Sequence, residues 1–435
     1  MQFRSTNSHE PQVSFKEAVL RCLPPDGGLY VPSRVMDLRQ FFLYMDERTA
    51  YPELVATVAP VLLQGDLNPF SAARVAESAF DFEPELIQLD ESFSILKLHN
   101  GPTGTFRDFG VAFLAAVLEE LLKTNPQAMI ISSAGGDSGT ILDRAFRHRK
   151  GLTTVMLYPS GQIHGLDPDF YVPNGGNTIP IQVKGTIDDC QRLVRETIND
   201  RPFAERYRIT SANTINPGRL LPQAFYFLYA FIRAKKRLSG DLFFSVPTGN
   251  FGNLISGLYA WKFGLSVNGF IAAMSASDTF GNFIRSGKFA MRPLIEAKSP
   301  APDISIPSNY ERLISFYEEA PAVIRNMIFP AAVDDTAAIK AMETAWKQYG
   351  MVLDSHGAAA FAAAMDFLKT DNCSNAHIII LDTDHPALQA GLVEAYTGQK
   401  IALPEKLAML KNKAEPIALI DPQIEALEGA IASCF

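Results

Sequence analysis

The chain is poor in cysteine, with four among 435 residues: Cys22, Cys190, Cys373 and Cys434. None forms a C-x-x-C pair, so the sequence favours neither a metal site nor a disulfide framework, and we expect no metal. Thiols this widely spaced fit a reducing compartment better than a secreted one. The sequence also lacks a run of 18 apolar residues and an apolar signal segment near its start. We therefore expect a cytoplasmic protein that does not enter a membrane.

An excess of positive charge is absent as well. Lys and Arg total 39 against 47 Asp and Glu, which gives a formal net charge of −8. A net acidic chain without a long basic stripe is a poor candidate for nucleic-acid binding. Apolar residues make up 47% and charged residues 20%, which is ordinary for a globular protein with a sizeable core and excludes disorder and collagen.

Short apolar segments alternate with helical patterns from Glu91 onward. The alternation predicts strands at 93–98, 128–132, 153–158, 242–246, 267–274 and 377–381, and helices at 111–122, 141–149 and 254–263. Strands that alternate with helices of this length are typical of βαβ units, with parallel sheets covered on both faces. We predict an α/β fold made of a subdomain at 1–90, a lobe at 91–240 and a lobe at 241–435.

Three strand-to-helix segments carry residues suited to chemistry. In the segment 245–253, glycines would let backbone N–H groups approach an anion at a helix N-terminus, although they could equally only turn the chain. In 132–140, Asp137 and Ser138 stand at a helix start, where a simple N-cap is the alternative to a ligand contact. In 99–110, Asp108 favours a helix start by capping alone, and Arg107 could form a surface ion pair worth almost nothing.

Taken together, these segments resemble the threonine synthases, pyridoxal-phosphate (PLP) enzymes of the tryptophan-synthase-β-like fold. The resemblance runs nearly from end to end. It also includes the stretches 15–19, 25–30, 158–161, 184–190, 213–219, 308–313 and 383–387. It implies two parallel-sheet α/β lobes with a small N-terminal subdomain.

The resemblance also implies roles for individual residues. Family members convert O-phosphohomoserine to threonine with loss of phosphate. The cofactor phosphate would be held by the glycine loop Gly249, Asn250, Phe251, Gly252 and Asn253. A hydroxyl in the position of Thr383 would hydrogen-bond the pyridine nitrogen. Substrate contacts would come from Thr103, Asp137, Ser138, Asn216, Arg219 and Asn309. For Arg219, an exposed helix arginine is the alternative to a phosphate ligand.

The sequence departs from the family pattern at the residue that binds the cofactor covalently. The family motif resembles H-G-P-T-x-x-F-K-D-F-G, and its lysine forms the Schiff base, but Arg107 stands in that position here. A guanidinium stays protonated, with a pKa above about 12, and cannot attack an aldehyde as an amine does. Lys97 could substitute, or it could be a solvent-facing strand lysine. Asn100, Gly135 and Gly357 also differ from the pattern.

Three functions are compatible with these residues. The first is a diverged threonine synthase-like enzyme, a carbon–oxygen lyase that acts on a phosphorylated or anionic amino acid without a lysine–PLP link. There Arg107 would bind the anion as a bidentate donor, and any PLP would be bound non-covalently. The second is a pseudoenzyme that binds PLP or a phosphorylated ligand without turnover. The third is a threonine synthase with an introduced Lys-to-Arg change. We expect a monomer or homodimer.

Overall fold

A computed structural model describes residues 1–124, 127–133, 138–160, 175–238, 240–275, 279–288, 307–370, 375–409 and 415–434. Near the N-terminus, three short strands form an antiparallel sheet in the order β2-β1-β3. These strands are β1 (Gln2–Ser5), β2 (Val13–Ser14) and β3 (Tyr30–Pro32).

A six-stranded sheet has the order β12-β11-β10-β13-β5-β4. Its strands are β4 (Glu85–Gln88), β5 (Phe93–Lys97), β10 (Asp241–Pro247), β11 (Gly269–Ser275), β12 (Ile328–Val333) and β13 (Ala376–Asp382). All neighbouring pairs are parallel except β4 with β5 at one edge.

A second, all-parallel sheet has five strands in the order β14-β8-β7-β6-β9. Its strands are β6 (Ala128–Ser133), β7 (Leu152–Pro159), β8 (Thr178–Val183), β9 (Ile209–Ser211) and β14 (Ala418–Ile420).

Helices connect the strands of both parallel sheets. In the first half of the chain they are α1 (Phe15–Arg21), α2 (Arg39–Tyr44), α3 (Tyr51–Leu62), α4 (Pro69–Ala79), α5 (Arg107–Leu121), α6 (Ser138–Phe146), α7 (Ile187–Asn199), α8 (Arg201–Tyr207) and α9 (Pro217–Leu220). In the second half they are α10 (Ala224–Ala234), α11 (Gly252–Lys262), α12 (Thr279–Ser286), α13 (Tyr310–Glu319), α14 (Pro321–Met327), α15 (Asp335–Tyr349), α16 (Ser355–Phe367), α17 (Ala390–Thr397), α18 (Glu405–Ala408) and α19 (Ile424–Ala432).

The inner strands β5, β10 and β13 of the six-stranded sheet are buried on both faces, as expected of parallel strands covered by helices, whereas the edge strands β4 and β12 are partly exposed. Along β13, Ile378 and Ile380 pack in one hydrophobic cluster with α15 and α16, whereas Ile379 and Leu381 pack in another. The second cluster also contains Ile130 of β6, so a central core is shared by the two parallel sheets. The alternation follows from the two-residue period of side chains along a strand.

The predicted strands and helices are confirmed to within a few residues, and so is the α/β class. The division at residues 90 and 240 stays a prediction. Each of the two large sheets contains strands from both predicted lobes. β5, from the predicted first lobe, lies in the sheet with β10 to β13, and β14, near the C-terminus, joins the sheet with β6 to β9. Within the described residues, no helix is both long and apolar enough to span a membrane.

Helix α11 packs closely against the six-stranded sheet through Gly257. A Cβ at this position would lie 2.7 Å from Cε1 of Phe270 and 3.1 Å from Cζ of Phe227, and both rings are fully buried. We therefore expect Gly257→Ala to lower the free energy of unfolding by about 1–3 kcal/mol through overpacking, measured by urea denaturation.

The matched control is Gly429→Ala in α19, where a Cβ would meet nothing within 4 Å. There alanine should raise the free energy of unfolding by about 0.5–1 kcal/mol through its better helix propensity. Equal effects of the two substitutions would contradict the close packing at Gly257.

Candidate functional site

The loop after β5 and the segment after β13 are joined by backbone hydrogen bonds. The two strands are parallel neighbours, so their carboxyl ends lie at the same edge of the sheet. The N–H of Phe106 donates to the carbonyl of Thr383 at 2.8 Å, and the N–H of His385 donates to the carbonyl of Gly104 at 2.8 Å. Residues 98–107 and 383–385 therefore form one structural unit.

Arg107, the first residue of α5, forms an ion pair with Asp384. Its Nη1 lies 3.4 Å from Oδ1 of Asp384, and the two side chains are 21% and 10% exposed. The guanidinium carbon also lies 5.0 Å from the centre of the Phe106 ring. The surface ion pair that the sequence left open is thus excluded, since this cation is held in a mostly buried position.

The loop that carries Arg107 is held in shape by Asp108. The N–H and hydroxyl of Thr103 donate to the two carboxylate oxygens of Asp108 at 2.9 and 2.7 Å. A Cβ on Gly101 would lie 2.4 Å from Oδ2 of Asp108, so only glycine fits there. Thr103 thus stabilises the loop, and its contact with substrate stays a prediction.

A buried group of acidic residues lies beside the Arg107–Asp384 pair. Asp354 is fully buried and caps α16 by accepting from the N–H of Gly357 at 2.8 Å. Burial, together with the charges of Asp384 and Asp382, raises the pKa of Asp354 well above its usual range. Ligand atoms of Asp354, His356 and Asp384 lie within 4.8 Å of one another.

Two further imidazoles, His99 and His385, lie near this acidic group and differ in their surroundings. Nε2 of His99 lies 2.9 Å from Oδ2 of Asp382. The ring of His385 packs edge-on against that of His99, with centres 5.2 Å apart. Burial, together with the nearby charges of His99 and Lys406, lowers the pKa of His385 to about 4. His385 is therefore neutral at pH 7.

Burial also lowers the pKa of His356, to which Asp384 and Arg107 make opposing contributions. From the sequence we assigned no proton-transfer role to His356 or His385. Nothing in the sequence indicated that Asp354 lies near Asp384 either, because the two residues belong to different elements and no sequence spacing relates them.

Lys406 of α18 is a further residue that the sequence missed. Its Nζ donates to the carbonyls of Asn100 and Gly101 at 3.1 and 3.0 Å. The side chain of Lys97, the alternative amine noted in the sequence, is 25% exposed, and its Nζ lies 3.6 Å from Oε2 of Glu85. Both lysines are thus engaged at the loop that carries Arg107 or at the strand before it.

The glycine loop between β10 and α11 presents an open helix N-terminus. Phe251, the residue before α11, has φ 59° in the left-handed region, and no side chain caps the helix. A Cβ on Gly249 would meet nothing within 4 Å. Uncapped N–H groups at a helix start favour an anion. The unfavourable φ of a phenylalanine costs on the order of 1 kcal/mol, and such strain is common at ligand sites.

Asn309 and Arg312 support this loop from behind. Nδ2 of Asn309 donates to the hydroxyl of Thr214 at 2.9 Å and to the carbonyl of Asn250 at 3.2 Å. Arg312 is fully buried. Its guanidinium donates to Oδ1 of Asn309 at 2.6 Å and to the carbonyl of Ile215 at 2.6 Å. Asn309 therefore positions the glycine loop, and its predicted contact with substrate stays a prediction.

Asn216 and Arg219 are both buried near the start of α9. The Asn216 amide donates to the carbonyls of Val19 and Ser211 at 3.0 and 2.8 Å, and its oxygen caps the helix through the N–H of Gly218. Arg219 is only 8% exposed and donates to the carbonyl of Ala212, so the exposed helix arginine that the sequence left open is excluded. Substrate contacts of both residues stay predictions.

The remaining predicted positions divide into two groups. The side chain of Thr383 is 2% exposed, and its hydroxyl makes no hydrogen bond with the residues that the structure describes. Gly135 and Asp137 lie outside the described residues, and so does the side chain of Ser138, the first residue of α6.

Comparisons with known proteins agree with this architecture. Residues 2–80 match the family "Threonine synthase N terminus" and residues 89–384 match "Pyridoxal-phosphate dependent enzyme". The threonine synthase of Serratia marcescens is 32% identical over 94% of both chains, and that of Escherichia coli K12 is 31% identical over 94% of both. The crystal structure of the Escherichia coli enzyme superposes with a TM-score of 0.88 at 28% identity over 100% of both chains. A PLP-bound threonine synthase from Brucella melitensis gives 0.86 at 26% identity, covering 100% of this chain and 99% of its own.

The raised pKa of Asp354 predicts a pH-dependent effect of Asp354→Asn. The neutral acid is favoured in the folded protein, so its stabilising contribution is complete below the ordinary pKa of 3.8 and is lost as the pH rises through the folded-state pKa. Asparagine resembles the neutral acid and keeps the capping oxygen. The variant should therefore gain stability relative to the wild type as the pH rises, by up to about 1.4 kcal/mol per pH unit.

Urea denaturation at a series of pH values measures this difference. Asp334→Asn is the matched control, because Asp334 caps α15 in the same way but is exposed. A stability difference for Asp354→Asn that stays constant with pH would contradict the buried acidic environment.

Proposed function

The chain belongs to the threonine synthase family of pyridoxal-phosphate-dependent enzymes, and we propose that it acts on a phosphorylated or otherwise anionic amino acid without a covalent link between a lysine and PLP. One observation carries the proposal: the guanidinium of Arg107, in the position that the family motif gives to lysine, is paired with Asp384. The reaction class is elimination or substitution at a phosphate-bearing carbon.

The two ends of the site differ in how well they suit PLP. The open N-terminus of α11, with Gly249 to Asn253, fits a phosphate group, and the hydroxyl of Thr383 is available to a ring nitrogen. PLP bound there would supply an electron-withdrawing ring able to stabilise negative charge at a substrate carbon. At the other end Arg107 provides no nucleophilic amine, so we propose that PLP is held non-covalently.

Arg107 is suited to hold the anionic group of the substrate. A guanidinium binds a phosphate or carboxylate through two parallel N–H donors, and Asp384 keeps it in place from one side. As phosphate departs, the same cation stabilises the charge that develops on its oxygens. Arg107 therefore contributes electrostatic stabilisation and orientation.

His385 can donate a hydrogen bond in this site at neutral pH. Its Nδ1 accepts from the N–H of Ala387 at 3.1 Å, and with a pKa lowered to about 4 the ring is neutral. A neutral imidazole that accepts at Nδ1 carries its proton on Nε2. His385 thus presents a donor that does not change its charge between pH 5 and 8.

The same arginine supports a second candidate, a pseudoenzyme that binds PLP or a phosphorylated ligand without turnover. Lys97 and Lys406 are both engaged, with a carboxylate and with two carbonyls respectively. No amine among the described residues of this loop is thus placed as an evident replacement nucleophile.

Reduction with borohydride tests the non-covalent binding of PLP. Purified protein is mixed with PLP, reduced and digested, and its peptides are identified by mass spectrometry. We expect no lysine of the wild type to be labelled stoichiometrically, while PLP still raises the melting temperature. Lys97→Arg and Lys406→Arg identify the source of any label. A stoichiometrically labelled lysine in the wild type would overturn the proposal.

Phosphate release from O-phosphohomoserine and other phosphorylated amino acids separates the candidate functions. For an enzyme, release exceeds a heat-killed control, and Arg107→Ala lowers kcat/KM by about 10- to 100-fold, as for the loss of a charged hydrogen bond. Arg34→Ala, at an exposed arginine, is the control and should have no effect. Ligand-induced stabilisation without phosphate release would favour the pseudoenzyme, and strong threonine formation by Arg107→Lys would favour an introduced change.

A further inference from the structure

Asp354, His356 and Asp384 bring three metal-ligating groups together beside Arg107. Asp354 and His356 come from the start of α16, and Asp384 follows β13. Each offers one ligand atom, and these atoms lie within 4.8 Å of one another. Two carboxylates with one imidazole suit Zn²⁺, a borderline ion that binds both ligand types, and also Mn²⁺, a harder ion that favours the oxygen ligands. We propose that these three residues bind a divalent transition-metal ion.

Unpartnered carboxylate oxygens are a second observation that favours a cation here. Asp354 and Asp382 are both fully buried. Oδ2 of Asp354 and Oδ1 of Asp382 have no hydrogen-bond partner among the described residues. Asp354 uses its Oδ1 to cap α16 through the N–H of Gly357, which leaves Oδ2 for another ligand. A buried carboxylate oxygen without a partner is costly, and a metal ion would satisfy it.

The three buried carboxyl groups differ in their partners. Arg107 contacts Asp384 and His99 contacts Asp382, whereas no basic side chain of the described residues contacts Asp354. Arg107 lies on Oδ1 of Asp384, and Oδ2 of Asp384 makes no hydrogen bond within the described part of the chain. The contact with Arg107 therefore uses one oxygen of Asp384 and leaves the other for a metal ion in the proposed site.

Binding of a metal ion at these residues would compete with protons. A histidine binds metals through its neutral imidazole, and a carboxylate binds them in its ionised form. The affinity for the metal should therefore fall as the pH is lowered.

No spacing rule in the sequence identifies these ligands, because Asp384 comes from a different element from Asp354 and His356. In the context of the proposed function, the ion would lie beside Arg107 and bind the same anionic group. The metal site itself does not depend on PLP or on turnover.

The test is a calorimetric titration of the chelator-treated, full-length protein with MnCl2 and with ZnCl2, without PLP or substrate. We expect saturable binding of one equivalent of metal to the wild type. Asp354→Asn, which keeps the helix cap, and His356→Gln should each weaken the affinity at least about tenfold, as for lost metal ligands. Asp334→Asn, at the exposed cap of α15, should bind like the wild type.

Co²⁺ provides a second readout that does not depend on activity. Bound Co²⁺ should give visible absorption bands in the wild type, and these bands should be lost or shifted in His356→Gln. Circular dichroism checks that each variant is folded. Absence of saturable binding at millimolar metal, or equal affinity in wild type and both ligand variants, would overturn the proposal and leave a proton as the occupant. Either result leaves the phosphate-release and borohydride outcomes unaffected.

Discussion

The parallel pairing of β5 with β13 is the constraint on which the site depends. The two strands are separated by more than 270 residues of chain, yet Lys97 pairs with Asp382 in the sheet. Their carboxyl ends therefore coincide, and the backbone hydrogen bonds of Phe106 and His385 fix the residues that follow. Without this pairing Arg107 and Asp384 would not meet. Ligand sites of α/β proteins are commonly found outside the carboxyl ends of such strands.

The contact of Arg107 with Asp384 also bears on why an arginine suits this position. A nucleophilic lysine must lose its proton, which burial and nearby positive charge promote. A carboxylate at the distance of Asp384 has the opposite effect, since it favours the charged form of an amine. An arginine is always charged and gains from such a neighbour. Arg107 and Asp384 are therefore a chemically consistent pair, and exchange of the arginine alone would leave an environment that disfavours a neutral amine.

The local structure could be predicted from the sequence, but the contacts of the site could not. Apolar runs bounded by turn residues correctly indicated β5, β10 and β13, because a strand buried on both faces requires a short local run of apolar residues. Their order in the sheets depends on long-range packing, so nothing in the sequence indicated that β5 pairs with β13. The sequence likewise shows Asp354 and Asp384 but not that they are buried together. The burial of Asn216 and the hydrogen bonds of Thr103 with Asp108 could not be predicted either, because both depend on the folded chain around them.

The glycine loop is supported independently of Arg107. Asn309 and the buried Arg312 hold it through Thr214, Ile215 and the carbonyl of Asn250, and none of these contacts passes through β5 or the 383–385 segment. A change at residue 107 therefore leaves the open N-terminus of α11 in place. The proposed phosphate site and the proposed loss of covalent attachment are thus structurally separable. The contacts that hold the glycine loop do not depend on whether residue 107 is a lysine or an arginine.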